Sequence, residues 1–221
     1  CIRDRTIGII GGTGSGKSTV VNLIPRFYDA SAGQVCFFGQ DVRKYRRKEL
    51  RNQIGIVPQK AVLFAGTVRE NMQWGKKDAT DEEIWEALKT AQAEEFIRAK
   101  EGGLDANIEQ GGRNLSGGQR QRLTIARALV KKPRVLILDD SASALDYATD
   151  AALRKAIRQM EGAPTVFIVS QRTSSLMSAD RILVLDDGEA TGYGTHEELL
   201  KNCQTYREIY NSPVSYTHLT L

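Results

Sequence analysis

The stretch Gly11-Gly12-Thr13-Gly14-Ser15-Gly16-Lys17-Ser18-Thr19 decides the fold of this 221-residue chain. It matches the pattern G-x-x-x-x-G-K-[ST]. The short apolar run Ile7-Gly8-Ile9-Ile10 precedes it, and Val20, Val21, Leu23 and Ile24, which can start a helix, follow it. A strand, a Gly-rich turn and a helix in that order form the context in which the motif signifies a phosphate cradle. The glycines let consecutive backbone N–H groups turn toward one anion, and a helix N-terminus adds partial positive charge. In this reading Lys17 reaches the β- and γ-phosphates of a nucleotide, and the Ser18 hydroxyl ligates Mg²⁺.

Outward from the cradle, strands and helices alternate. Gln34–Phe38 reads as a short strand after the Asp29–Gly33 turn. Ile54-Gly55-Ile56-Val57 is another, stopped by Pro58 and followed by Gln59. A capping box, Thr80 with Glu83, opens a helix whose face carries Ile84, Leu88 and Ala91, and Gly102-Gly103 closes the helical stretch. Leu123–Val130 has helical spacing and stops before Pro133. Val135–Leu138 and Thr165–Val169 are unbroken apolar runs, as expected for parallel strands buried on both faces. Arg181–Leu185 with Asp187-Gly188 predicts a hairpin. A second box, Thr195 with Glu198, predicts one last helix carrying Leu199, Cys203, Tyr206 and Tyr210. The order implies an α/β fold: a P-loop NTPase core with a mainly parallel sheet, antiparallel hairpin elements and a helical insertion.

Composition is that of an ordinary globular chain, 41% hydrophobic and 26% charged, and the net charge of +4 does not call for a nucleic-acid partner. The basic run Arg43-Lys44-Tyr45-Arg46-Arg47-Lys48 reads as a solvated helix face rather than a polyanion site. Cys1, Cys36 and Cys203 show no metal-ligand spacing and no even pairing, which fits a reduced setting. No run approaches the roughly 18 apolar residues of a membrane span. Residues 213–221 share no period with the helix before them and resemble the translation of a sequencing-library adapter. They are expected to be a non-native tail, and the chain to be a piece of a longer product.

Leu115-Ser116-Gly117-Gly118-Gln119, ahead of the basic helix Arg120-Gln121-Arg122, is a second anion site of the same physical kind. It lies after Gln59 and before the apolar strand that ends in Asp139. In that order the motifs resemble the nucleotide-binding domain of ABC transporters, exporter branch, over residues 1–212. Gly11–Thr19 is similar to the family's Walker A, Gln59 to its Q-loop and Leu115–Gln119 to its signature. Val135–Asp139 is similar to Walker B and Ser143-Ala144-Leu145-Asp146 to the D-loop. Exporter-like detail comes from Arg26–Asp29, Leu63–Asn71 and Gly194–Leu199.

The resemblance implies ATP and Mg²⁺ as ligands and a core at 1–59 and 132–212 around a helical subdomain at about 60–131. It also implies two domains sandwiching two ATP molecules head to tail, each ATP held by Walker A of one and the signature of the other. Ser18, Gln59 and Asp139 would attend the metal, and Asp146 would belong to the nucleotide-contacting set. A transmembrane domain, expected upstream, would place the chain at the cytoplasmic face of the membrane. The adenine-stacking aromatic of the family would precede residue 1. Chromosome-maintenance and DNA-repair ATPases share these motifs but insert long coiled coils. Here only Thr19 to Asn114 separates Walker A from the signature, without sustained heptads.

Two positions depart from the pattern. The glutamate after Walker B is Asp140, and the switch histidine two residues past Thr165–Val169 is Gln171. Aspartate is one methylene shorter, and a misplacement of roughly 1 Å can cost about 10²-fold in rate. Glutamine can hydrogen-bond a phosphate but supplies neither charge nor a proton relay. The expectation is a site that binds ATP and turns it over poorly, paired with a different, competent subunit. The alternative is an ordinary homodimer using Asp140 as its base.

Overall fold

A computed structural model describes residues 5–140 and 144–212. The N-terminal residues 1–4, Ser143 of the expected D-loop and the expected tail at 213–221 lie outside the described residues.

β1 (Thr6–Gly11) is buried along its whole length and runs through the glycine loop into α1 (Lys17–Leu23). β2 (Cys36–Phe37) and β3 (Gln40–Asp41) make a small antiparallel pair. The strand expected over 34–38 is shortened because Phe38 and Gly39 turn through positive φ. α2 (Arg47–Asn52) buries only Leu50, and Arg46, Arg47 and Lys48 are exposed, so the basic run is a solvated face. β4 (Ile54–Val57) follows. The helix-rich block contains β5 (Gly66–Thr67), α3 (Val68–Gln73), α4 (Asp81–Thr90), α5 (Glu94–Arg98), β6 (Asn107–Ile108) and α6 (Gly117–Leu129). β7 (Val135–Asp139), α7 (Tyr147–Arg158), β8 (Thr165–Val169), β9 (Arg181–Asp186), β10 (Glu189–Gly194), α8 (His196–Asn202) and α9 (Gln204–Asn211) complete the order.

Both capping boxes read from the sequence are formed reciprocally, Thr80 with Glu83 and Thr195 with Glu198. The helices behind them end sooner than their periodicity implies. α4 stops at Thr90, Gln92 turns through a φ of 58°, and α5 starts afresh. The last helix is two helices. Cys203 is extended (φ −119°, ψ 112°), and its Sγ accepts the Tyr206 N–H at 3.4 Å, capping α9. Leu199, Cys203 and Tyr206 are all buried, so the hydrophobic period continues across a break that it does not signal.

The chain divides into two compact units. The first comprises Cys1–Arg51, Ile137–Asp140 and Thr165–Leu221; the second comprises Asn52–Leu136 and Ser141–Pro164. In the first, strands lie in the order β10-β9-β1-β8-β7, with β1 parallel to both β8 and β9 and β10 antiparallel to β9. Ile7, Ile9, Ile10, Val166, Ile168, Ile182 and Val184 fill its interior. In the second, α6 packs on α3, α4 and β4, and α7 packs on α4. The Gln53 carbonyl accepts from Arg134 N–H at 2.9 Å and from Val135 N–H at 3.2 Å. The architecture is α/β with a mainly parallel sheet.

Candidate nucleotide site

In the first unit the parallel order β1-β8-β7 sets three C-terminal strand ends side by side. That edge is where ligands bind in open α/β sheets. The loop after β1 carries Lys17, β7 ends in Asp139 and Asp140, and β8 leads through Ser170 to Gln171. Hydrogen bonds join the ends. Ser170 N–H donates to the Ile9 carbonyl at 3.1 Å and Asp140 N–H to the Val169 carbonyl at 2.9 Å. Ser170 Oγ accepts the Arg172 N–H at 3.0 Å, which fixes the turn that presents the exposed Gln171.

The loop has the geometry of an anion cradle. Gly16 caps α1 at a φ of 92°, where a side chain would be strained, and contributes no side-chain cap. The first N–H groups of α1 have no acceptor within the helix, so they are donors to whatever enters the loop. The loop also lies tight against the hairpin strand. A Cβ on Gly11 would come within 2.2 Å of the Leu185 carbonyl oxygen and 2.5 Å of Ser15 Oγ.

The Lys17 ammonium is buried and donates to the Gly11 carbonyl at 2.9 Å, to the Gly12 carbonyl, and to Ser15 Oγ at 3.4 Å. Burial lowers its pKa, opposed by the negative charges of Asp139 and Asp140. Ser18 Oγ donates to Asp139 Oδ1 at 3.3 Å. No cluster of three or more His, Cys, Asp or Glu suited to a metal exists among the described residues. A hydroxyl, one carboxylate, waters and phosphate oxygens are nevertheless the usual company of Mg²⁺, and Ser18 beside Asp139 provides the first two. The residues present therefore fit a nucleoside triphosphate with Mg²⁺.

Asp140 has a backbone φ of 45°, in the left-handed region. Aspartate and asparagine tolerate this conformation better than most side chains.

The second unit holds the other motif residues. Gln59 is exposed just past β4. The signature forms the start of α6. Leu115 is buried, and Ser116 Oγ accepts the Gln119 N–H at 3.2 Å while Gln119 Oε1 accepts the Ser116 N–H at 3.0 Å. This capping box, S-x-x-Q, was legible in the sequence as such but hidden inside the motif. Ser116 and Gly117 stay exposed at the N-terminus of a 13-residue helix that has no acidic residue in its first turn. Sequence reasoning missed Arg120, whose Nη1 donates to the Leu115 carbonyl at 2.6 Å and the Gly112 carbonyl at 3.3 Å and so braces the loop. Asp146 caps α7, accepting the Thr149 N–H at 2.9 Å and hydroxyl at 2.7 Å, and these bonds hold its carboxyl below the usual range.

The ABC transporter family profile matches residues 1–143. An ABC transporter ATP-binding protein of Mycobacterium tuberculosis is 48% identical over 206 residues, covering 92% of this chain and 35% of its own length. The Bacillus subtilis ABC transporter ATP-binding protein YfiB is 48% identical over 208 residues, covering 94% of this chain and 36% of its own. A solved structure titled as a bacterial Atm1-family ABC exporter with ATP bound superposes with a TM-score of 0.88 at 37% identity. It covers 94% of this chain and 36% of that one. The chain thus spans about a third of the length of the relatives it matches. No helix among the described residues is long and apolar enough to cross a membrane.

Proposed function

We propose a function from one premise: this chain belongs to the ABC transporter family. It binds ATP, and in the complete protein its ATP-driven association with a second nucleotide-binding subunit powers transport by an attached transmembrane domain at the cytoplasmic face of the membrane. Exporter-type transport is the reading supported by the likeness to the Atm1-family structure. Residues 1–212 are taken as one nucleotide-binding domain, with the helical subdomain at about 60–131 inserted in it. The observation that carries the proposal is the cradle itself: a buried Lys17, a Gly16 cap that makes no side-chain bond to the helix start, and Ser18 at 3.3 Å from Asp139.

The residues divide the work as follows. Gly11–Thr19 bind the phosphates, Lys17 by charge and the loop by its N–H groups. Ser18 and Asp139 would hold Mg²⁺, which when bound would neutralise charge on the phosphate oxygens. Asp140 orients and deprotonates water, and Gln171 hydrogen-bonds the terminal phosphate. Leu115–Gln119 and Asp146 serve the nucleotide held by the partner. With Asp140 and Gln171 in place of a glutamate and a histidine, the Lys17 site holds ATP for long periods while the partner, carrying both groups, turns over. The subunit is therefore half of a heterodimer.

The test is steady-state ATPase of the chain alone and of Asp140→Glu plus Gln171→His. The double variant should gain at least about tenfold, since each group contributes on the order of 10²-fold where it acts. High activity of the unmodified chain that neither change raises would favour the other reading, an ordinary homodimer with Asp140 as base.

A further inference from the structure

The β9–β10 hairpin lies against the phosphate loop at both ends of that loop. At its start, Gly11 pairs with Leu185 in the β1–β9 register, and a Cβ on Gly11 would come within 2.2 Å of the Leu185 carbonyl oxygen. At its end, a Cβ on Gly16 would lie 3.9 Å from the Cα of Gly188. Gly16 is the N-cap of α1, so its position sets where the first N–H groups of that helix point.

The hairpin that makes both contacts is itself held. Asp187 and Gly188 turn the chain between the paired residues Asp186 and Glu189, with φ values of 43° and 80°. Positive φ at both central positions is the geometry that matches the twist of the flanking strands. Further along β10, a Cβ on Gly192 would lie 2.8 Å from Cys203 Sγ and 3.0 Å from Leu199 Cδ2, so the hairpin is seated closely on α8 and Cys203. Gly188 is exposed, and a Cβ on it would meet nothing within 4 Å. Glycine serves the backbone conformation there, not a lack of space.

We propose that the Asp187-Gly188 turn is a positioning element for the nucleotide, with Gly188 its positioning residue: it holds Gly16 where the loop N–H groups converge on the phosphates. The proposal rests on the reading of Gly11–Thr19 as an ATP cradle. A side chain at position 188 has no neighbour to strike, so a substitution acts through the backbone of the turn. Asparagine tolerates the left-handed region, alanine is strained in it, and a β-branched valine is close to excluded. ATP affinity should therefore fall in the order Gly188, Gly188→Asn, Gly188→Ala, Gly188→Val.

The test is calorimetric ATP affinity, measured well below the Tm of every variant. Gly188→Asn should stay within about twofold of wild type, and Gly188→Val should lose about tenfold or more, as misplacing one or two preorganised hydrogen bonds does. Gly162→Val is the control, because Gly162 has a φ of 64° in an exposed turn where a Cβ also meets nothing within 4 Å. It should lower Tm and leave ATP affinity unchanged. Should Gly188→Val not fold, Gly188→Ala against Gly188→Asn and Gly162→Ala makes the same comparison. Equal affinity in all folded variants at position 188 overturns the positioning role and leaves the cradle standing. So does an equal loss in the control at position 162, because it would trace the effect to general destabilisation. A wild-type chain that does not bind ATP overturns the cradle, and the positioning role with it.

Discussion

Lys17 is braced within its own loop, and the proposed function gives the same side chain a second task. Its ammonium spans the loop it belongs to, bonded to the Gly11 and Gly12 carbonyls and near Ser15 Oγ. Burial of that charge is unfavourable by itself and lowers its pKa. On the proposed function, a polyphosphate entering the loop would add counter-charge beyond that of Asp139 and Asp140. Lys17→Ala is thus expected to weaken ATP binding by more than about 100-fold in calorimetry, as loss of a charge-assisted contact at a preorganised anion site does. Unchanged affinity would remove Lys17 from the site. The identities of Lys17, Ser18 and Asp139 were legible in the sequence because each sits inside a short motif. The backbone of Asp140 was not. Its left-handed φ occurs where its N–H donates to the Val169 carbonyl across the sheet, a partner that no neighbour in sequence announces.

Among the elements, α8 and α9 depart most clearly from the single helix that the periodicity implies. Tyr206 of α9 is wholly buried, with its hydroxyl 2.7 Å from His196 Nδ1 of α8. Burial raises the phenol pKa to about 12. The unfolded chain releases this proton near pH 10, about the ordinary tyrosine value. Between those two pH values the folded state retains a proton that the unfolded state has lost. The stabilisation is therefore complete below about pH 10 and declines as pH rises toward 12. The urea midpoint of the wild-type chain should fall relative to that of Tyr206→Phe as pH is raised from about 9 to about 11.5, across this window. Parallel curves would show that the phenol does not titrate with folding. The capping boxes at Thr80 and Thr195 were readable because the donor and acceptor are three residues apart. The breaks at Gln92 and Cys203 were not, because the hydrophobic period runs straight through them.

For the whole molecule, nucleotide binding is a stability statement. A ligand that binds only the folded state adds about 2.7 kcal/mol at 100 times its Kd, which for a chain of this size raises Tm by roughly 5–10 °C. Mg–ATP should produce a shift of that order in a thermal scan of the wild-type chain and none in Lys17→Ala. An equal shift in both would mean that the nucleotide binds elsewhere. The division into units decides which residues share a body. Lys17, Asp139, Asp140 and Gln171 fall in one, while Gln59, Leu115–Gln119 and Asp146 fall in the other. Local signals sufficed for the α/β class, for the glycine loop between β1 and α1, and for strands such as Thr165–Val169, because apolar runs, glycines and caps act over a few residues. The tertiary structure alone set β8 between β1 and β7, joined Ser18 to a carboxylate 121 positions away, and assigned α7 to the same unit as the signature helix. Those relations arise from strand pairing and packing between segments far apart in the chain, and such contacts leave no periodic trace in either segment.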